Sequence, residues 1–203
     1  MSEVLSSCGT FFVYAVAAIF AENAVFSRAL GVSRLVRLVD DSTVDTLIFG
    51  GLLCLVQLIA APLSYFANIW IHPLKYRGAI RPLVFILCST IAFLIVMALV
   101  LAVFKRADAK NIVAVLPMAT FNSAVMGTLL IGATQSFSLL QTMGFALGSG
   151  IGYILAVVVV NEGQRKLRSR AVPAAFRGLP ITLLYIGILS LAIYGFIGHR
   201  PAI

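Results

Sequence analysis

Two short stretches set polar side chains inside otherwise apolar runs. In residues 20–33 (FAENAVFSRALGVS) the interruptions are Glu22, Asn23, Ser27, Arg28 and finally Ser33. In residues 116–131 (LPMATFNSAVMGTLLI) they are Asn122 and Ser123, shortly after Pro117. A carboxylate and two carboxamides are suited to passing a cation, a proton or a small solute. A helix loosened by Pro117, which lacks a backbone donor, can also turn free carbonyls and amides toward an ion or cofactor. The structural alternative is that Asn and Ser bond a neighbouring helix, for about 1 kcal/mol each. An ionised Glu22 alone in hydrocarbon would cost several kcal/mol, so it has to be neutral, paired or wet. Arg28, six residues on, is off Glu22's face of a continuous helix; a break in the helix would relax that restriction.

The elements that must position these residues are membrane helices. The chain of 203 residues is 61% hydrophobic and 11% charged, against about 25% charged in soluble domains. Its charges cluster between long uncharged runs. Six spans are expected, at about 10–26, 44–66, 83–104, 112–131, 139–160 and 181–197, each near the ~20 residues that cross the hydrocarbon as helix. Only helices or a closed barrel satisfy the backbone there, and no strand pattern competes, so the fold class is an all-α integral membrane protein. The first apolar run lacks the basic start of a cleaved signal and reads as the first span.

The net charge of +8 fits basic loops on one side of a membrane rather than nucleic acid, since no nucleic-acid motif accompanies it. Loops one–two, three–four and five–six hold Arg28, Arg34, Arg37, Lys105, Arg106, Lys110, Arg165, Lys166, Arg168, Arg170 and Arg177. The other side holds only Lys75, Arg77, Arg81 and Arg200. By the positive-inside rule both termini face outside. Tyr65, Trp70 and Tyr76 suit an aromatic belt there, and His72 and His199 read as interfacial.

Arg81-Pro82 opens span three and Arg177-Gly178-Leu179-Pro180 opens span six, while Gly50-Gly51 in span two answers Gly148, Gly150 and Gly152 in span five. The expected arrangement is one domain, 1–203, made of two inverted three-span halves (about 1–108 and 109–203), with helices one and four interrupted. Gly144, Gly148, Gly150 and Gly152 are expected to serve helix packing within the chain rather than a subunit contact. Cys8, Cys54 and Cys88 form no ligand spacing and read as small buried hydrophobes. No nucleophile–base set, phosphate loop or metal-ligand spacing stands out, so no catalytic or metal residue is assigned.

The motifs Glu22-Asn23 with Ser27 and Leu30-Gly31, Leu116-Pro117 through Asn122, Ala124 and Gly127, Gly148-Ser149-Gly150-Ile151-Gly152, and Val172-Pro173 with Arg177-Gly178 occur in order over nearly the whole chain. In these the chain resembles the Rnf/Nqr family of six-span subunits, in its RnfA- or NqrE-like subgroup. The resemblance implies a bacterial or archaeal cytoplasmic membrane, termini outside, and a complex coupling redox chemistry to Na⁺ or H⁺ translocation. It implies a homologous membrane subunit of opposite orientation as partner, each chain giving two cysteines to a shared 2Fe–2S cluster. The family's cysteines follow the Leu-Gly of span one and the Asn of span four, where this chain has Ser33 and Ser123. Span three also lacks the Gln and Glu that members often carry.

Clusters of this kind are normally held by thiolates, so no cluster of the chain's own is expected. Three functions follow. The first is a subunit of an Rnf/Nqr-like complex that shapes the ion path through Glu22, Asn23 and Asn122, with further redox subunits beside it. The second is a stand-alone or homodimeric ion or small-solute transporter on the same scaffold. The third is an assembly subunit whose polar residues only lock helices together.

Overall fold

The computed structural model describes residues 2–38, 43–104, 106–167 and 173–197. The helices are α1 (Ser2–Ile19), α2 (Val32–Leu38), α3 (Thr43–Ile71), α4 (Arg77–Val103), α5 (Arg106–Thr120), α6 (Ser123–Thr134), α7 (Leu139–Leu167) and α8 (Leu179–Ile197), with a 3₁₀ turn at Ala174–Phe176 before α8. No strand occurs among the described residues. Helices α3, α4, α7 and α8 are each long and apolar enough to cross a bilayer. Helices α5 and α6 meet at a 47° bend and together make a fifth candidate span. The apolar part of α1, Ser6–Ile19, is shorter than a full span. His199, Arg200, Lys105, Arg168, Arg170 and Val172 lie outside the described residues.

Both expected interruptions are present, and each is built by an asparagine. Helix one was expected to run to residue 26 but stops at Ile19, because Asn23 takes over its backbone bonding. The Asn23 Nδ2 donates to the Ile19 carbonyl (2.8 Å) and to the Gly152 carbonyl of α7 (3.0 Å). Its Oδ1 accepts from the Val25 and Phe26 amides (2.9 and 3.2 Å). In the second break Pro117 stays inside α5, and the chain parts only at Phe121-Asn122. There Asn122, extended at φ −98°, is the N-cap of α6 and accepts from the Ala124 amide at 2.9 Å. An asparagine at this position satisfies one of the amides that a helix start leaves open.

Helix α7 is the central post. On one side its glycines take α1 at backbone distance: a Cβ on Gly144 or Gly148 would run into the Phe11 or Ala15 carbonyl. On the other side α7 crosses α3 reciprocally. A Cβ on Gly50 would strike Ile154, and one on Gly150 would strike Cys54. Numbers rise along one helix as they fall along the other, so α3 and α7 pack antiparallel and close. The glycines thus serve packing within the chain, as expected.

Several boundaries differ from the sequence reading. Helix α3 continues to Ile71, and α4 begins at Arg77, so Pro82 lies inside α4 instead of opening it. Pro180 does stand in the first turn of α8. Cys88 is buried and Cys54 half-buried, but Cys8 is exposed, near the start of α1 and before its first close contact with α7 at Phe11. Trp70 and Tyr76 are strongly exposed at the α3–α4 turn, as an aromatic belt requires.

Two expectations test this construction. Gly148→Leu should drive α1 off α7 and destabilise the chain by roughly 1–3 kcal/mol, read as a fall in thermal midpoint in nanodiscs. Asn23→Ala removes four hydrogen bonds, three of them buried, where Asn122→Ala removes one cap of ~1 kcal/mol. The Asn23 variant should therefore melt lower than the Asn122 variant by circular dichroism.

Candidate functional site

Beyond Ile19 the chain turns through residues 20–31 without forming regular helix. Glu22 N donates to the Ala17 carbonyl (2.8 Å) and Leu30 N to the Ala24 carbonyl (2.7 Å). The Ser27 hydroxyl donates to the Ala21 carbonyl at 2.9 Å. This compact turn brings together two charges that a helix would have kept apart. Arg28 grips one oxygen of Glu22 with Nη2 at 2.6 Å and Nε at 3.2 Å. The pair is about 40% exposed and borders a cavity of about 820 Å³ between α1 and α8. Tyr14, Gln135 and Tyr194 also line that cavity.

The two breaks are stitched to each other through Gly31. Its amide donates to Ser123 Oγ at 2.8 Å, and its carbonyl accepts from the Tyr153 hydroxyl of α7 at 2.9 Å. Only glycine fits here. Its φ is +73°, and a Cβ would enter the Tyr153 ring and come within 3.0 Å of Asn122 Oδ1. Tyr153 is fully buried. Beside it, the Arg34 guanidinium lies 5.3 Å from the centre of the Phe49 ring. Asn122 Nδ2 is buried with no hydrogen-bond partner.

The sequence-predicted residues therefore divide. Asn122 and Ser123 lie at the junction with Gly31, and Ser33 follows two residues after it. Ser33 and Ser123 are both exposed on the surface of the chain, with Met118 and Phe121 exposed on the α5–α6 side. Asn23 is buried with its whole carboxamide committed to backbone groups. Glu22 stands apart from these, on the cavity wall. No group of three His, Cys, Asp or Glu that could hold a metal occurs among the described residues.

A further polar cluster escaped the sequence reading. Gln57 of α3, Thr128 of α6 and Ser149 of α7 are all buried and meet where the three helices pack. Gln57 Nε2 lies 3.2 Å from Thr128 Oγ1 and 3.5 Å from Ser149 Oγ, and the two hydroxyl oxygens are 2.7 Å apart. The signal was a lone carboxamide in the middle of an apolar span, the same signal that singled out Asn23 and Asn122.

Comparison with known proteins agrees with this architecture. The family model described as Rnf-Nqr subunit, membrane protein, matches residues 11–199. The A subunit of the ion-translocating oxidoreductase complex of Syntrophotalea carbinolica is 37% identical over 120 residues, covering 56% of this chain and 62% of that protein. The A subunit of the Na(+)-translocating ferredoxin:NAD(+) oxidoreductase complex of Acetobacterium woodii is 29% identical over 193 residues, 91% of this chain and 95% of that one. The E subunit of the Na(+)-translocating NADH-quinone reductase of Psychromonas ingrahamii is 34% identical over 83 residues, 41% of each. With a match over nearly its whole length, the interrupted helices and the apolar spans, the chain belongs to the Rnf-Nqr family of membrane subunits.

Proposed function

We propose that the chain is the subunit of a redox-driven ion-translocating complex that shapes the ion path without holding an iron–sulfur cluster of its own. The observation that carries this is the Glu22–Arg28 pair on the cavity wall beside a broken helix. Two partly exposed charges facing lipid tails would cost several kcal/mol. A water-filled cavity removes that cost and gives an ion an aqueous approach to the break. Glu22 is the group that attracts the cation, and Arg28 is the counter-charge that keeps the pair neutral when no ion is present. Asn23 and Asn122 act as positioning residues that hold the two breaks open.

The donor set does not suit the family's cluster. Ser33 and Ser123 offer hydroxyls where thiolates are needed, and Ser123 Oγ already accepts the Gly31 amide. The three cysteines stand in α1, α3 and α4 rather than at these positions. No electron step is assigned to this chain.

Six spans, with α1 and the turn after it counted as the first, put both termini outside the cytoplasmic membrane by the distribution of Lys and Arg. The exposed face bearing Ser33, Ser123, Met118 and Phe121 is where a homologous subunit of opposite orientation, or a second copy of this chain, would cover the breaks. The names of the relatives, A and E subunits of multi-subunit oxidoreductases, support further redox subunits beside it. The cavity's size is what favours the second reading, a stand-alone or homodimeric transporter of a small solute.

Glu22→Gln should lower ion translocation by at least about tenfold, equivalent to ~1.4 kcal/mol of barrier, with membrane levels and thermal midpoint near wild type. Unchanged ion flux in sealed vesicles would remove Glu22 from the path. Iron and acid-labile sulfide in the isolated chain should fall far below two of each per chain; stoichiometric amounts would defeat the reading of the serines.

A further inference from the structure

The turn between α3 and α4 carries arginines that the chain itself does not neutralise. Both helices are long and apolar enough to cross the bilayer, so the turn emerges at a membrane surface. Two rungs join the helices there. Arg81 Nε donates to Asn68 Oδ1 at 3.0 Å. Arg77 Nη1 donates to His72 Nε2 at 3.3 Å, the imidazole accepting because a guanidinium has no acceptor of its own. His72 lies one turn beyond Asn68, its amide on the Asn68 carbonyl at 3.0 Å. Arg77 and Arg81 are likewise one turn apart at the start of α4, so their guanidiniums are neighbours on one face. Both rungs end on neutral acceptors, and the remaining N–H groups of the two arginines have no partner among the described residues. No carboxylate pairs with either of them there. The sequence has no Asp or Glu between Asp45 and Asp108, and Lys75 adds a further charge to the same turn. The first turn of α4 holds no acid, although cations there stand at the unfavourable, positive end of the helix.

We infer that this turn binds the headgroup of an anionic phospholipid, with the Arg77 and Arg81 forks closing on its phosphodiester. A phosphodiester presents two unesterified oxygens that share one negative charge, and a guanidinium meets such a pair with parallel N–H groups. The rungs to His72 and Asn68 hold each arginine by one nitrogen and orient its fork before the lipid arrives, which lowers the ordering cost of binding. Trp70 and Tyr76, 85% and 71% exposed, set the turn at headgroup depth. Further along the two helices Phe66, Ile69, Leu83 and Leu87 are exposed and apolar, a surface on which acyl chains can lie. Lys75, Arg77 and Arg81 together favour a headgroup of net negative charge. A zwitterionic one brings its own ammonium into a cluster that already lacks an acid, and is repelled.

This site is independent of the ion-path reading, and its test reads lipid binding rather than transport. The full-length chain, with any subunits that co-purify, is reconstituted in phosphatidylcholine nanodiscs with increasing phosphatidylglycerol, and its thermal midpoint is followed. Wild type should melt higher as phosphatidylglycerol is added, saturably. Arg77→Gln and Arg81→Gln should each raise the phosphatidylglycerol needed for half the shift by about fivefold, as expected for one cation at an anionic surface. The paired change Arg77→Lys with Arg81→Lys keeps both charges but loses the forks. It should also lose most of the shift, which separates a phosphate clamp from a general pull on anionic lipid. Arg77 is exposed, so it and the charge-retaining pair carry the test if Arg81→Gln does not fold. Arg165→Gln, at the far end of α7, should leave the shift at its wild-type size. A wild-type midpoint indifferent to phosphatidylglycerol would overturn the inference, as would a full shift in the paired Arg77→Lys, Arg81→Lys variant. An equal shift from inorganic phosphate in nanodiscs of phosphatidylcholine alone would show a free-phosphate site and overturn the lipid as its occupant.

Discussion

A polypeptide inside a bilayer has to pair its backbone groups with itself, since no water is there to do it. Interrupting a helix at that depth therefore requires substitute partners for each freed amide and carbonyl. Asn23 is the chief substitute in this chain. Its carboxamide replaces two donors and two acceptors at once, reaching the end of α1, the start of the following turn and the α7 backbone. Without it the turn over residues 20–31 would lose its main support, and in a continuous helix Glu22 and Arg28 would stand on different faces. Gly31 completes the substitution by placing its amide on Ser123 and its carbonyl on Tyr153. One side chain and one glycine thus tie both interrupted helices to α7.

That arrangement demands that α7 come close enough for its backbone to be reached. Gly152 offers its carbonyl to Asn23 only because α7 lacks side chains along the contact, from Gly144 through Gly152. Within lipid there is little hydrophobic drive between helices, so close contact of this kind and the bonds it permits supply the cohesion. The reciprocal crossing of Gly50 with Ile154 and Gly150 with Cys54 places the same device on the α3 side.

Span positions were legible in the sequence because hydropathy is set by solvent, and the bilayer is uniform along each span. The breaks were legible because Glu22, Asn23 and Asn122 are costly in lipid unless something is gained. What was hidden were the partners. Nothing local in residues 20–28 says that Arg28 will turn back onto Glu22, since that depends on a bond to Gly152, over a hundred residues away. The end of α1 at Ile19 was missed for the same reason. Periodicity continues past Ile19, but a tertiary contact overrides it. Gln57 went unread because it is a single polar residue, and only the fold brings Thr128 and Ser149 to it. Pro117 and Pro82 drew more weight than they bear, as both sit within continuous helix.

The polar groups set among the apolar helices of this chain come in three states, and they differ in how they are compensated. Asn23 is fully bonded, so an ion passing nearby has nothing to gain from it. Glu22 and Arg28 compensate each other as a partly exposed ion pair. Gln57 is uncompensated, with an acceptor that meets no donor among the described residues. A fully bonded group resists change around it, whereas an uncompensated one is held in place only by the packing that buries it.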